Sequence, residues 1–213
     1  MSDPTSPLSS RDTRRSAYKH LRKQFPQLNW LFDATGEVAL PDPSILPVAG
    51  SLVRIVVGQM LSLSAARTIM ARLNDKANQR GLSLQDLPLD DLRTAGVSGR
   101  KAKTIGIISQ MVRDDADCFE KWRRLDYPAL QKDVKEVWGL GDWSAAMLGI
   151  FEFGHPDLFP LSDGSLIRAL ELVEARYCGG DPLGHELAAP YRSFLALALW
   201  QALDSHILTP ANE

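Results

Sequence analysis

The chain has 213 residues, 45% of them hydrophobic and 23% charged, which is enough for one large domain or two small lobes around a real core. Its formal net charge of −2 gives no global pull toward nucleic acid, so any such role must rest on a local basic patch. No apolar run approaches the roughly 18–20 residues of a membrane span, and the first residues lack the apolar centre of a secretory signal. The two cysteines, Cys118 and Cys178, form neither a metal-ligand spacing nor a disulfide framework, and a reduced, cytosolic protein is expected.

Strand signals are scarce, and capped helical segments recur along the chain. Residues 1–16, rich in Ser, Pro and Asp, predict a disordered tail. "YKHLRKQFPQLNWLFDATG" predicts one or two short helices stopped by Gly36, followed by the Pro-rich connection "DPSILPV". "AGSLVRIVVGQ" is an apolar helix that stops near Gly58, and "SLSAARTIMARLNDKANQRG" restarts behind serine caps and ends at Gly81. "PLDDLRTAG" is a short helix with acids in its first turn, and "SGRKAKTIGIISQMVRD" follows from Ser98. "CFEKWRRL" and "PALQKDVKEV" come next, the second with Pro128 at its first position. "DWSAAMLGIFEFG" ends at Gly154, "DGSLIRALELVEARYCGG" opens at an Asp, and "YRSFLALALWQALDS" is the last helix. About ten helices result, so the fold class is all-α.

Two places carry chemistry. In "VWGLGDWSAA" one helix ends near Val137 and another begins near Asp142, so the two must turn sharply on each other. The amides of Gly139, Gly141 and Asp142 then sit at a helix start without side-chain bulk, where a phosphate can bind. The plain alternative is a tight helix–helix turn with packing glycines. Downstream, "FGHPDLFPLSDGSLIRAL" is a Gly/Pro-rich loop leading to Asp163 at a helix start. Asp163 reads as an ordinary N-cap, or as a carboxylate that stabilises positive charge on a sugar and orients water while an N-glycosidic bond breaks.

Taken in order, "SLVRIVVGQMLSLSAARTIMARL", "AGVSGRKAKTIGIIS", "GLGDWSAAMLGIFEFGHPDLFPLSDGSLIRAL" and "YRSFLALALWQALD" resemble the helix-hairpin-helix DNA glycosylase superfamily. The likeness is greatest to the compact form of the 3-methyladenine DNA glycosylase II (alkylpurine glycosylase) family and spans roughly Ser51 to Asp204. It implies two helical lobes with a central cleft: lobe one about 17–50 with 164–213, lobe two about 51–163, together one glycosylase domain over 17–213. It implies Asp163 as the catalytic residue. Bifunctional members carry a Schiff-base lysine where this chain has Trp143, so the resemblance implies a monofunctional enzyme with no lyase step. The four-cysteine iron–sulfur loop of endonuclease III-like relatives is absent from the sequence. Two positions depart from the family pattern: Trp138 stands where a proline is usual, and Met60 where a second glutamine is usual.

The same resemblance assigns the remaining roles. Gln59, Met60 and Leu61 fall where the family places the wedge that fills the gap left by a flipped nucleotide. Trp143 is the first base-pocket candidate, its aromatic face suited to a cationic alkylated purine, with Phe159 at the pocket mouth. Arg100, Lys101 and Lys103 form a candidate phosphate patch, or a solvated helix face. Carbonyls near Lys135, Val137 and Leu140 fall where the family binds a Na⁺ or K⁺ ion at the hairpin; no other cofactor is expected. His20, His155, His185 and His206 show no metal spacing, and Trp30, Trp122 and Trp200 read as packing residues. The expected activity is excision of 3-methyladenine- and 7-methylguanine-type bases in base excision repair. The expected partner is duplex DNA carrying damaged bases, met as a monomer in the cytoplasm, at the nucleoid of a bacterium or in a eukaryotic nucleus. Alternatives are a glycosylase for deaminated or oxidised bases, and a hairpin protein that grips DNA without chemistry.

Overall fold

A computed structural model describes residues 10–42 and 47–208. Among the described residues there are ten α-helices and no strand. They are α1 (Ser10–Gln24), α2 (Asn29–Thr35), α3 (Val48–Gly58), α4 (Leu63–Arg80), α5 (Leu89–Ala95), α6 (Gly99–Asp114), α7 (Tyr127–Glu136), α8 (Asp142–Phe151), α9 (Gly164–Tyr177) and α10 (Arg192–Asp204). Several sequence caps act as expected. The Ser62 and Ser98 hydroxyls accept from the Ala65 and Lys101 amides, and Gly81 stops α4 in the left-handed conformation. "CFEKWRRL" forms only a 3₁₀ turn over Glu120–Arg124, and α7 starts one residue before Pro128, with Asp126 accepting from the Ala129 amide.

Contacts divide the chain into two units: Met1–Asp42 with Gly154–Glu213, and Pro43–Phe153. In the central unit α3 is apolar on nearly every side, and it packs on α4, α6 and α8. Its Leu52, Val53 and Val56 are fully buried with Ile105 and Ile108 of α6 and Leu148 of α8. A helix hydrophobic all round has to be central, and this one underlies both the hairpin and the turn that follows it. In the discontinuous unit α10 packs on α1, α2 and α9, burying Leu195 and Leu199 with Leu21, Phe32, Leu166 and Val173.

The boundaries at 42/43 and 153/154 differ from the 50/51 and 163/164 read from the sequence. Helix α3 begins at Val48 and its whole length enters the central core. The loop before Asp163 is tied to α10 instead. The Ser193 amide donates to the Pro156 carbonyl at 3.0 Å, and the Leu158 amide to the Ser193 hydroxyl at 2.8 Å. Residues 10–16 of the expected tail are helical, while 1–9 lie outside the described residues. The four-residue spacing of Ala17 and Leu21, continued by Phe25 just past the helix end, gives α1 a buried stripe, no Gly or Pro interrupts the polar turn before it, and Arg14 pairs with Glu37 at 3.6 Å.

Candidate active site and DNA interface

In the discontinuous unit Asp163 is half-buried at the N-cap of α9. Three donors converge on its Oδ1: the Leu166 amide at 2.7 Å, the Ser165 hydroxyl at 2.6 Å and the Trp200 indole N–H at 2.9 Å. The first bond is an N-cap. The other two are not needed to start a helix, and they fix the plane of the carboxylate. The loop behind it is equally constrained. Arg192 at the start of α10 grips Asp157 with Nε–Oδ1 at 2.7 Å and Nη2–Oδ2 at 2.8 Å, which holds the Asp157 carboxyl below the usual carboxylate range. The Ser193 hydroxyl donates to the His155 carbonyl at 2.8 Å, so His155 is a loop residue held through its main chain. Phe159, the second base-pocket candidate, stacks on His185 with centroids 4.5 Å apart.

The remaining candidates belong to the central unit. Residues 137–141 link α7 to α8 as a tight hairpin closed by the Leu140 amide on the Val137 carbonyl at 3.0 Å. Gly139 has φ +88°, and a Cβ built there would collide with Thr104 Oγ1 and lie 3.1 Å from both Thr104 Cβ and Cγ2. Position 139 therefore needs glycine for both its backbone and its neighbour. Gly141 precedes α8 without any side-chain cap, so the first-turn amides point outward with no carbonyl of their own helix to bond. Asp142 stands at this end too. Its carboxylate accepts from Lys135 at 2.9 Å and Gln131 at 3.2 Å, which offsets the charge it presents to an anion. Trp138 is 41% exposed, with Lys103 Nζ 4.3 Å and Arg100 Cζ 5.7 Å from its ring centroid.

Lys101 does not join that surface pair. Its ammonium turns inward, donating to the Val57 carbonyl at 2.9 Å and the Gln59 carbonyl at 2.7 Å, and burial lowers its pKa. The sequence grouped it with Arg100 and Lys103, but on a helix adjacent residues do not share a face. The candidate wedge also divides. The Gln59 side chain turns back, donating from Nε2 to the Gly139 carbonyl at 2.9 Å and the Ser144 hydroxyl at 3.1 Å. Met60 is fully exposed at φ +55°, with Leu61 and Leu63 exposed beside it. Trp143 is half-buried, and a Cβ built on Gly58 would lie 3.8 Å from its Cη2. The wedge turn, hairpin and Trp143 are thus neighbours. A groove of about 440 Å³ along α5 and α6 shares Lys103 with these candidates, but none of the others lines it.

A comparison with models of known protein families finds no match. The DNA-3-methyladenine glycosylase 1 of Schizosaccharomyces pombe is 27% identical over 159 residues, covering 70% of each chain. A crystal structure of a DNA-3-methyladenine glycosidase from Bacillus halodurans is 25% identical, with a TM-score of 0.67 and 91% of each chain covered. These likenesses in sequence and fold support a relation to the helix-hairpin-helix 3-methyladenine DNA glycosylases. A structure of an S. pombe 3-methyladenine DNA glycosylase in complex with abasic DNA shares the fold, with a TM-score of 0.75, 23% identity and coverage of 89% of this chain and 97% of that one.

Four residues that touch the candidate site residues carry no signal for those contacts, or only a weak one, in the sequence. Trp200 reads as packing in the sequence, yet its indole reaches Asp163 from 37 residues away, a contact no local signal carries. Ser165 had one: a hydroxyl two residues after an N-cap Asp can bond back to it. Thr104, buried against Gly139, and Trp138, flanked by two cations, become visible only once α6 is laid beside the hairpin.

Proposed function

We propose that this chain is a monofunctional DNA glycosylase that flips alkylated purines out of duplex DNA and excises them, leaving an abasic site. The observation that carries the reading is Asp163, held through one oxygen by three donors at the start of α9. As the N-glycosidic bond lengthens, positive charge builds on the sugar, and a carboxylate already fixed in orientation stabilises it without reorganising. A purine alkylated at N3 or N7 is already cationic and leaves readily. Trp143 would meet that cation with its aromatic face, worth about 0.5–2 kcal/mol. Phe159 has one face against His185, so at most the other serves a base. With Trp143 standing where bifunctional relatives have lysine, no imine forms by that route.

Met60 is the wedge of this reading. It is the exposed apolar side chain at the crest of the α3–α4 turn, whereas the Gln59 side chain is already engaged. The amides of Gly139, Gly141 and Asp142 would receive one phosphate, and Arg100 and Lys103 beside Trp138 another. The hairpin carbonyls of Lys135, Val137 and Leu140 would hold Na⁺ or K⁺. Val137 gives one lone pair to Leu140, and a carbonyl oxygen has a second for a hard cation. The enzyme would act as a monomer on DNA, at a nucleoid or in a nucleus. Among the described residues no helix is long and apolar enough to cross a membrane.

The test is incubation with methylated duplex DNA, measuring released bases and strand breaks with and without alkali. The reading expects free 3-methyladenine or 7-methylguanine, with breaks only after alkali. Breaks without alkali would overturn the monofunctional assignment. Release of deaminated or oxidised bases instead would move the substrate class.

A further inference from the structure

We infer that Lys101 is a positioning residue for the α3–α4 turn, holding Met60 in its projecting conformation through two main-chain carbonyls. The inference rests on the glycosylase reading for what that turn does. The last carbonyls of a helix have no amide of their own helix to accept from. At the end of α3 the Val57 and Gln59 carbonyls are bridged by one ammonium from α6. The next residue, Met60, takes φ +55°, a conformation L side chains adopt only where the surroundings over-determine it. Those surroundings are present. The Leu61 amide closes the turn on the Gly58 carbonyl at 3.2 Å, Lys101 pins the carbonyls on either side of Gly58, and the Gln59 amide spans to Gly139 and Ser144 of the hairpin. None of these contacts requires DNA. The turn is therefore rigid before it meets the duplex, and a wedge on a rigid support loses less freedom when it enters the base stack.

A phosphate contact and a turn clamp respond oppositely to two substitutions. Lys101→Arg keeps the charge, which a phosphate contact tolerates. The larger planar guanidinium does not fit between two carbonyls set for an ammonium. Lys101→Met keeps the stem and removes the donors. The experiment uses the full chain with Lys101→Met, Lys101→Arg, Lys103→Met and Met60→Ala. It measures duplex affinity across a salt series, fluorescence of a base analogue that brightens on unstacking, and single-turnover excision from paired and unpaired targets.

The expected result is a wild-type salt slope for both Lys101 variants, against a slope lower by about one for Lys103→Met. Both Lys101 variants should lose unstacking fluorescence and excise from paired targets about tenfold or more slowly, with most of the loss recovered on an unpaired target. Adding Met60→Ala to Lys101→Met should cause no further loss, because both act on one wedge. A salt slope lowered by about one in Lys101→Met, full activity in Lys101→Arg, or losses that multiply in the double variant would each overturn the assignment. Lys101→Arg also guards against misreading an unfolded Lys101→Met. If the wild type excises no alkylated base, the glycosylase reading fails, and the salt slope and fluorescence still decide what Lys101 does.

Discussion

Gly139→Ala tests the hairpin on geometry that leaves little room for relaxation. At φ +88° an alanine takes a left-handed conformation that costs roughly 1–2 kcal/mol. Its Cβ would also strike Thr104 Oγ1. Rotating the threonine gives only partial relief, because its Cβ already lies 3.1 Å from the same point and the rotation gives up the Oγ1 bond to the Arg100 carbonyl. Thr104 is fully buried, so the overlap must push α6 and the hairpin apart, and overpacking of this kind costs about 1–3 kcal/mol. The sum is about 2–5 kcal/mol of stability. Thr104→Ala in the same chain removes both clashing atoms but leaves the backbone strain, so the double variant should recover the overpacking part and remain about 1–2 kcal/mol below Thr104→Ala alone. Urea unfolding followed by circular dichroism measures all four proteins. A Gly139→Ala loss below about 1 kcal/mol, or an equal loss with and without the Thr104 side chain, would refute the close-packed hairpin.

Trp200→Phe removes one charge-assisted donor from Asp163 and should slow single-turnover excision about tenfold while DNA affinity stays the same; an unchanged rate would mean the indole only packs. Arg192 holds the Asp157 carboxyl low, so this pair contributes stability that is complete above the ordinary aspartate value of about 3.9 and is lost as pH falls through the lower native value. The melting-temperature gap between wild type and Asp157→Asn should therefore be steady from neutral pH to about 5 and close in stronger acid, whereas a gap independent of pH would contradict the assignment. Substituting Arg100 and Lys103 together by methionine should lower the salt slope of duplex binding by up to about two without altering excision at saturating protein, and an unchanged slope would place both cations off the DNA path.

The sequence was most legible where one residue type answers one local demand. Serine caps, helix-stopping glycines and the apolar run of α3 mark the helices, and the glycine pair marks the hairpin. Asp163 could be placed at a helix start by the same logic. What the sequence could not resolve is set by contacts between distant segments. Lys101 sits in a basic cluster, and its inward aim depends on the end of α3 reaching α6. Gln59 and Met60 are adjacent, yet one braces the hairpin and the other faces solvent, because the backbone reverses between them. The Gly154–Asp163 stretch reads as a loop that follows the hairpin's second helix and falls with its lobe, but its hydrogen bonds run to Ser193 and Trp200, and that moves the boundary between the units.

The central claim is that Asp163 is the catalytic carboxylate and not merely a cap. Asp163→Asn separates the two roles, since the asparagine carbonyl can still accept from Leu166, Ser165 and Trp200 while the negative charge is gone. The measurement is single-turnover release of 7-methylguanine from duplex DNA by wild type and Asp163→Asn, with binding to the same duplex measured alongside. The account predicts release by the wild type, retained binding by the variant, and a rate for the variant lower by about a hundredfold or more. Equal rates would leave Asp163 a helix cap and contradict the account.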